Sequence, residues 1–98
     1  MRIIAAKKIE KSWAKHPETR NVLATWYNLT EATEWRNSAE VRSTFPRASI
    51  IDNSRVVFNI LGGNFRLVTR INYQLQLVNV IWFGTHGEYD RLDVRKMQ

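Results

Sequence analysis

Arg55 to Ile60 reads RVVFNI, Gly62-Gly63-Asn64 follows, Phe65 to Ile71 reads FRLVTRI, and after a polar turn Leu75 to Gly84 reads LQLVNVIWFG, leading into THGEYD at Thr85 to Asp90. Two short apolar runs joined by a glycine pair, with a third run close behind, are the signal of an antiparallel meander. In FRLVTRI the alternation puts Phe65, Leu67, Thr69 and Ile71 on one face and Arg66, Val68, Arg70 and Asn72 on the other. One face can enter a core while the other offers two guanidinium groups to a partner. The third run is less clear. Leu77, Asn79, Ile81 and Phe83 alternate with Gln76, Val78, Val80 and Trp82, and neither set is clearly polar, as expected of an interior strand covered on one side by helices and partly shielded on the other.

The segments before the meander carry helical spacing. Arg2 to Ala5 reads as a short strand that must dock on a later one. Lys7 to Lys15 is an amphipathic helix with Ile9 and Trp13 on one face and Lys8, Lys11 and Lys15 forming a basic stripe. His16-Pro17 stops it and lets Pro17 open the next helix, which carries Val22, Leu23, Trp26, Tyr27 and Leu29 through about Ala32. Asn37-Ser38-Ala39-Glu40 reads as an N-cap with a capping glutamate, opening a helix that Pro46 closes at Phe45. Ile50 and Ile51 predict a small strand or a plug against the core. The tail RLDVRKMQ predicts a short helix or a frayed end. The order of strand, helices and strands predicts one α+β domain over residues 1–98, with N-terminal helices packed on one face of a small twisted antiparallel sheet.

Fifteen Lys and Arg against nine Asp and Glu give a formal charge of +6. Only five of the fifteen are lysine, and arginine matches phosphate with a rigid donor fork. This excess suits a nucleic-acid partner, and equally an acidic protein. Cysteine is absent, which removes disulfides and thiolate chemistry and fits a reducing, cytoplasmic setting. No apolar run reaches membrane-spanning length, so no membrane partner is expected. The two histidines and dispersed aspartates give no metal-ligand spacing, and no cofactor motif is present.

His86 sits between glycines just beyond a strongly apolar strand, where an imidazole can take or give a proton near neutral pH. The plainer alternative is a turn cap with its ring against Tyr89. Should THGEYD open a helical turn, His86, Tyr89 and Asp90 share one side, and Asp90 either orients His86 or pairs with an arginine. Arg66 and Arg70, roughly 13 Å apart along one strand face, match about two phosphate steps. They read otherwise as a solvated face, or Arg66 as a buried partner of Asp90.

Taken in order, WRNSAEVRSTFP from Trp35 to Pro46, VVFNI from Val56 to Ile60, the Gly62 turn into Arg66-Leu67, and GTHGEYD from Gly84 to Asp90 resemble the HigB branch of the RelE-like toxins. These are ribosome-dependent mRNA endoribonucleases of type II toxin-antitoxin systems. The resemblance implies a metal-independent attack of a ribose 2′-hydroxyl on the adjacent phosphorus, on mRNA in the ribosomal decoding site. It implies His86 as acid or base, Arg66 as a phosphate contact, and Tyr89 and Asp90 as their neighbours, with Arg70 an extension of the same surface; the stripe Lys8, Lys11 and Lys15, read from its charge and spacing, adds further RNA-binding candidates. It also implies an acidic, HigA-like antitoxin, which would cover either the Arg66 and His86 face or the N-terminal helices. The family pattern often has lysine where this chain has Asn64. The competing reading is a non-catalytic module that binds RNA or an acidic protein.

Overall fold

The computed structural model describes residues 1–97. The chain runs β1 (Arg2–Ile4), α1 (Lys7–Lys15), a 3₁₀ turn (Pro17–Thr19), α2 (Arg20–Glu31), α3 (Ser38–Thr44), β2 (Ser49–Ile50), β3 (Arg55–Ile60), β4 (Phe65–Asn72), β5 (Leu77–Thr85) and a single helical turn, α4 (His86–Tyr89). The five strands form one sheet in the order β1-β5-β4-β3-β2. The meander of β3, β4 and β5 is antiparallel, and β2 extends it antiparallel to β3. β1 departs from the all-antiparallel expectation: it pairs parallel to the start of β5, Arg2 opposite Leu77 and Ile4 opposite Asn79. A parallel pair requires a long crossover. The helices and the meander supply it.

One face of the sheet carries the core. Val56, Phe58 and Ile60 of β3, Phe65, Leu67 and Ile71 of β4 and Val78 and Val80 of β5 pack with Ile9 of α1, Leu23 and Trp26 of α2, Trp35, and Val41 of α3. Thr69 lies among them, fully buried, and its hydroxyl donates to the Val56 carbonyl at 2.9 Å, which satisfies the one polar group on that row. The turn between β3 and β4 runs left-handed through Leu61, Gly62 and Gly63, at φ of 54°, 67° and 93°. Glycine takes such angles without the cost a Cβ imposes.

The ambiguous alternation of β5 has a physical cause. Val68 pairs with Trp82 but Thr69 pairs with Val80, so Ile81 is an extra residue, a β-bulge. Val78 and Val80 face the core before the bulge, and Phe83 faces it after. Trp82 is thereby turned to the outer face beside Arg66 and Val68.

Two further expectations change in detail. The Asn37 side chain caps α3 by accepting from the Glu40 amide at 3.1 Å, but the Glu40 carboxylate accepts from the Arg36 amide at 2.9 Å instead of closing on Asn37. In the tail, a 3₁₀ turn spans Val94–Lys96 and the Arg55 guanidinium donates to the Met97 carbonyl at 2.7 and 3.0 Å. The tail is thus fastened to an outer-face residue of β3, and Gln98 lies outside the described residues. Val57 and Val68, paired on that outer face, are only 1% and 0% exposed.

Candidate functional site

β5 ends at Thr85, and α4 starts on a complete capping box. The Thr85 hydroxyl accepts from the Glu88 amide at 3.2 Å while the Glu88 carboxylate accepts from the Thr85 amide at 2.9 Å. The Thr85 amide, then its hydroxyl, holds the Glu88 carboxyl below its usual range, with the positive charges of Lys15 and His16 adding to the effect. The His86 amide donates to the Asn64 carbonyl at 2.9 Å, tying α4 to the β3–β4 turn. Asn64 therefore contributes backbone here. One turn on, Nε2 of His86 lies 3.3 Å from Oδ2 of Asp90, and both side chains are more than half exposed.

Arg66 stands opposite Gly84 on the outer face. Its Nη1 donates to the carbonyls of Gly63 and Phe65. Nε and Nη2 have no hydrogen-bond partner among the described residues. The guanidinium lies 5.9 Å from the Tyr89 ring centroid, in cation–π range. Tyr89 in turn sits 6.3 Å from the Trp82 ring, tilted by 43°. The Trp82 indole spreads across Gly84 so closely that a Cβ there would come within 2.6 Å of it. The bulge, the glycine and the helical turn together build this row of Trp82, Tyr89 and Arg66 beside the imidazole–carboxylate pair.

His86, Tyr89 and Asp90 are thus brought onto one turn, with Arg66 against Tyr89. The side chain beside Asp90 is His86, and Asp90 is more than half exposed, so a buried pairing of Asp90 with Arg66 does not occur. Arg70 lies elsewhere, in a cleft of about 470 Å³ with Ile4, Asn53, Ser54, Asn72 and Asn79. The buried Val68 separates it from Arg66 along β4. Of the lysine stripe, Lys8 donates to the Ile81 carbonyl at 3.0 Å, Lys15 reaches the field of Glu88, and Lys11 is exposed. Two residues at the site were not singled out for it by sequence. Trp82 needed the bulge, which no alternation count contains. His16, read only as a helix stop, packs edge-on against Phe65 at 4.9 Å.

Among the described residues no three His, Asp or Glu side chains converge as metal ligands, and no helix is long and apolar enough to cross a membrane.

An α+β sheet protein with a strong basic excess, bearing an exposed imidazole–carboxylate pair beside an arginine, is built as the RelE-like toxins are expected to be. The family described as HigB_toxin, RelE-like toxic component of a toxin-antitoxin system, matches residues 19–92, and the chain belongs to that family. The matched stretch contains Arg66, Arg70, His86, Tyr89 and Asp90 and leaves α1 outside. The chain is also similar to the mRNA interferase HigB of Escherichia coli O6:H1, with 28% identity over 94 residues that cover 94% of this chain and 91% of the relative.

Proposed function

We propose that this chain is a ribosome-dependent endoribonuclease that cleaves mRNA by metal-independent attack of a 2′-hydroxyl, giving a 2′,3′-cyclic phosphate and a freed 5′-hydroxyl. The observation that carries the reading is the His86–Asp90 pair on the same turn as Tyr89, which meets the half-free guanidinium of Arg66. A carboxylate beside one ring nitrogen can orient an imidazole and leave its other nitrogen to handle a proton. The unpartnered Nε and Nη2 of Arg66 offer charge-assisted hydrogen bonds to phosphoryl oxygens as they gain charge. Tyr89 holds that guanidinium in place and presents a ring edge to RNA. Arg70, Lys11 and Lys15 supply further phosphate contacts, with Lys8 anchored on β5. The similarity to an mRNA interferase is consistent with this substrate.

Toxic activity in the cytoplasm requires restraint, so the partner is an acidic, HigA-like antitoxin, and the working site is the ribosome with its mRNA. The test is incubation of purified chain with mRNA, with and without programmed ribosomes, followed by analysis of the new ends. Cyclic phosphate and 5′-hydroxyl ends formed only with ribosomes are expected. Binding to mRNA without any cleavage would favour a non-catalytic module.

A further inference from the structure

A cleavage of this kind moves two protons, one off the attacking 2′-hydroxyl and one onto the departing 5′-oxygen. His86 accounts for one. We propose that His16 is the second proton-transfer group, acting as the acid while His86 acts as the base; this rests on the reading of the chain as an RNA-cleaving enzyme.

His16 ends α1, and its carbonyl accepts both the amide and the hydroxyl of Thr19, at 3.0 and 2.7 Å. Its backbone is therefore fixed at the point where Pro17 forces the turn. The imidazole rests edge-on against Phe65 with ring centroids 4.9 Å apart, and Phe65 is itself stacked on Phe83 at 5.5 Å. Phe65 pairs in register with Thr85, the residue before His86, and follows Asn64, whose carbonyl accepts the His86 amide. The two histidines of the chain thus meet the same end of the β4–β5 pair from opposite directions. The charges of Lys15 and His16 at the end of α1 also help to lower the pKa of the Glu88 carboxyl of α4. A histidine kept for structure usually spends its ring nitrogens on hydrogen bonds. Those of His16 make none among the described residues, although the ring is half-buried and positioned by packing.

The roles divide by partner. Oδ2 of Asp90 lies 3.3 Å from Nε2 of His86, and a carboxylate there favours a proton on that nitrogen, which leaves the lone pair on Nδ1 and suits a base. Among the described residues His16 has no such carboxylate on its ring. The 2′-hydroxyl proton passes to His86 as the 2′-oxygen–phosphorus bond forms. The phosphorus–5′-oxygen bond breaks as the His16 imidazolium gives its proton to that oxygen.

The experiment compares wild type, His16→Gln, His16→Phe and His86→Gln in single-turnover cleavage of ribosome-bound mRNA. His16→Phe keeps an aromatic ring on Phe65 and cannot transfer a proton. Both His16 variants, folded by circular dichroism, are expected to slow by about 10² or more. A second mRNA carries sulfur in place of the bridging 5′-oxygen at the cut site, a leaving group that needs no proton. The His16 variants should recover near wild-type rates on it, and His86→Gln should not. Wild-type cleavage by His16→Phe on the ordinary mRNA, or no recovery of the His16 variants on the sulfur substrate, would overturn the assignment while leaving the cleavage activity standing. Absence of cleavage by wild type on both substrates would overturn the activity and the assignment together.

Discussion

The ammonium of Lys8 donates to the carbonyl of Ile81 at 3.0 Å, and Ile81 is the extra residue that β5 carries at its bulge. A bulge leaves backbone groups outside the ladder, and β1 covers only Leu77 to Asn79 of that edge. Lys8, from the helix lying along the uncovered part, supplies the missing donor. The same bulge turns Trp82 outward, so Lys8 is linked to the site through the backbone. Replacing Lys8 with methionine, which keeps the aliphatic stem, should alter the fluorescence of Trp82 and slow cleavage more than Lys11→Met does. A Trp82→Phe background identifies the signal, and an unchanged spectrum would remove Lys8 from this role.

Gly84 is the second fixed point. An added Cβ would meet the indole of Trp82 at 2.6 Å and a Glu88 carboxylate oxygen at 3.0 Å, so Gly84→Ala must push Trp82 away and strain the capping box. Overpacking of this kind costs about 1–3 kcal/mol. Urea denaturation should register that loss, together with cleavage reduced beyond what the stability change explains. Gly87→Ala is the control, because nothing lies within 4 Å of its added Cβ.

Acid should loosen α4 and the β2–β3 connection. Glu88 is held below 4.5 by Thr85, and Asp52 is lowered from 3.8 to about 2, chiefly by the amides of Ser54 and Arg55. Both carboxyls titrate lower in the folded chain than in the unfolded one. Their contribution is therefore complete above the unfolded values and is lost as pH falls through the folded ones. Glu88→Gln should be less stable than wild type at neutral pH, with the difference closing as pH falls below 4.5. For Asp52→Asn the closing window is 3.8 to about 2. A gap that stays constant across these windows in equilibrium unfolding would contradict the assignment.

Arg66 and Arg70 should separate in kinetics. Arg66 lies against Tyr89, whereas Arg70 opens into its own cleft beyond the buried Val68. Arg66→Ala is expected to lower the single-turnover rate at saturating ribosomes. Arg70→Ala should mainly weaken RNA binding, reducing the salt slope by about 0.7 for a lost single-strand phosphate contact. Equal effects of the two on the saturated rate would show that they serve one surface.

Much of the fold was written in local pattern. The helix over Lys7 to Lys15, the stop at His16-Pro17, the Asn37 cap and the Gly62-Gly63 turn depend on near neighbours, and they form where the residue chemistry puts them. The clustering of His86, Tyr89 and Asp90 was legible for the same reason, since one helical turn brings them together. What stayed hidden depends on distant partners. The parallel docking of β1 on β5 is a choice between sheet edges that three residues do not encode. The bulge at Ile81 shows in sequence only as an alternation that fails to resolve, because Val80, Ile81 and Trp82 are all apolar. Arg66 and Arg70 share a strand face by alternation, but the burial of Val57 and Val68 between their positions comes from tertiary packing. The packing of His16 on Phe65 joins residues that lie far apart in the sequence.

Proton transfer by His86 beside Asp90 is the proposal on which the rest of the function depends. It is tested most directly by the single-turnover rate of ribosome-programmed mRNA cleavage by His86→Gln, with folding verified and the ends of the product mapped. A fall of about 10² or more is expected, with the cut position unchanged. A folded His86→Gln protein that cleaves at the wild-type rate would contradict it.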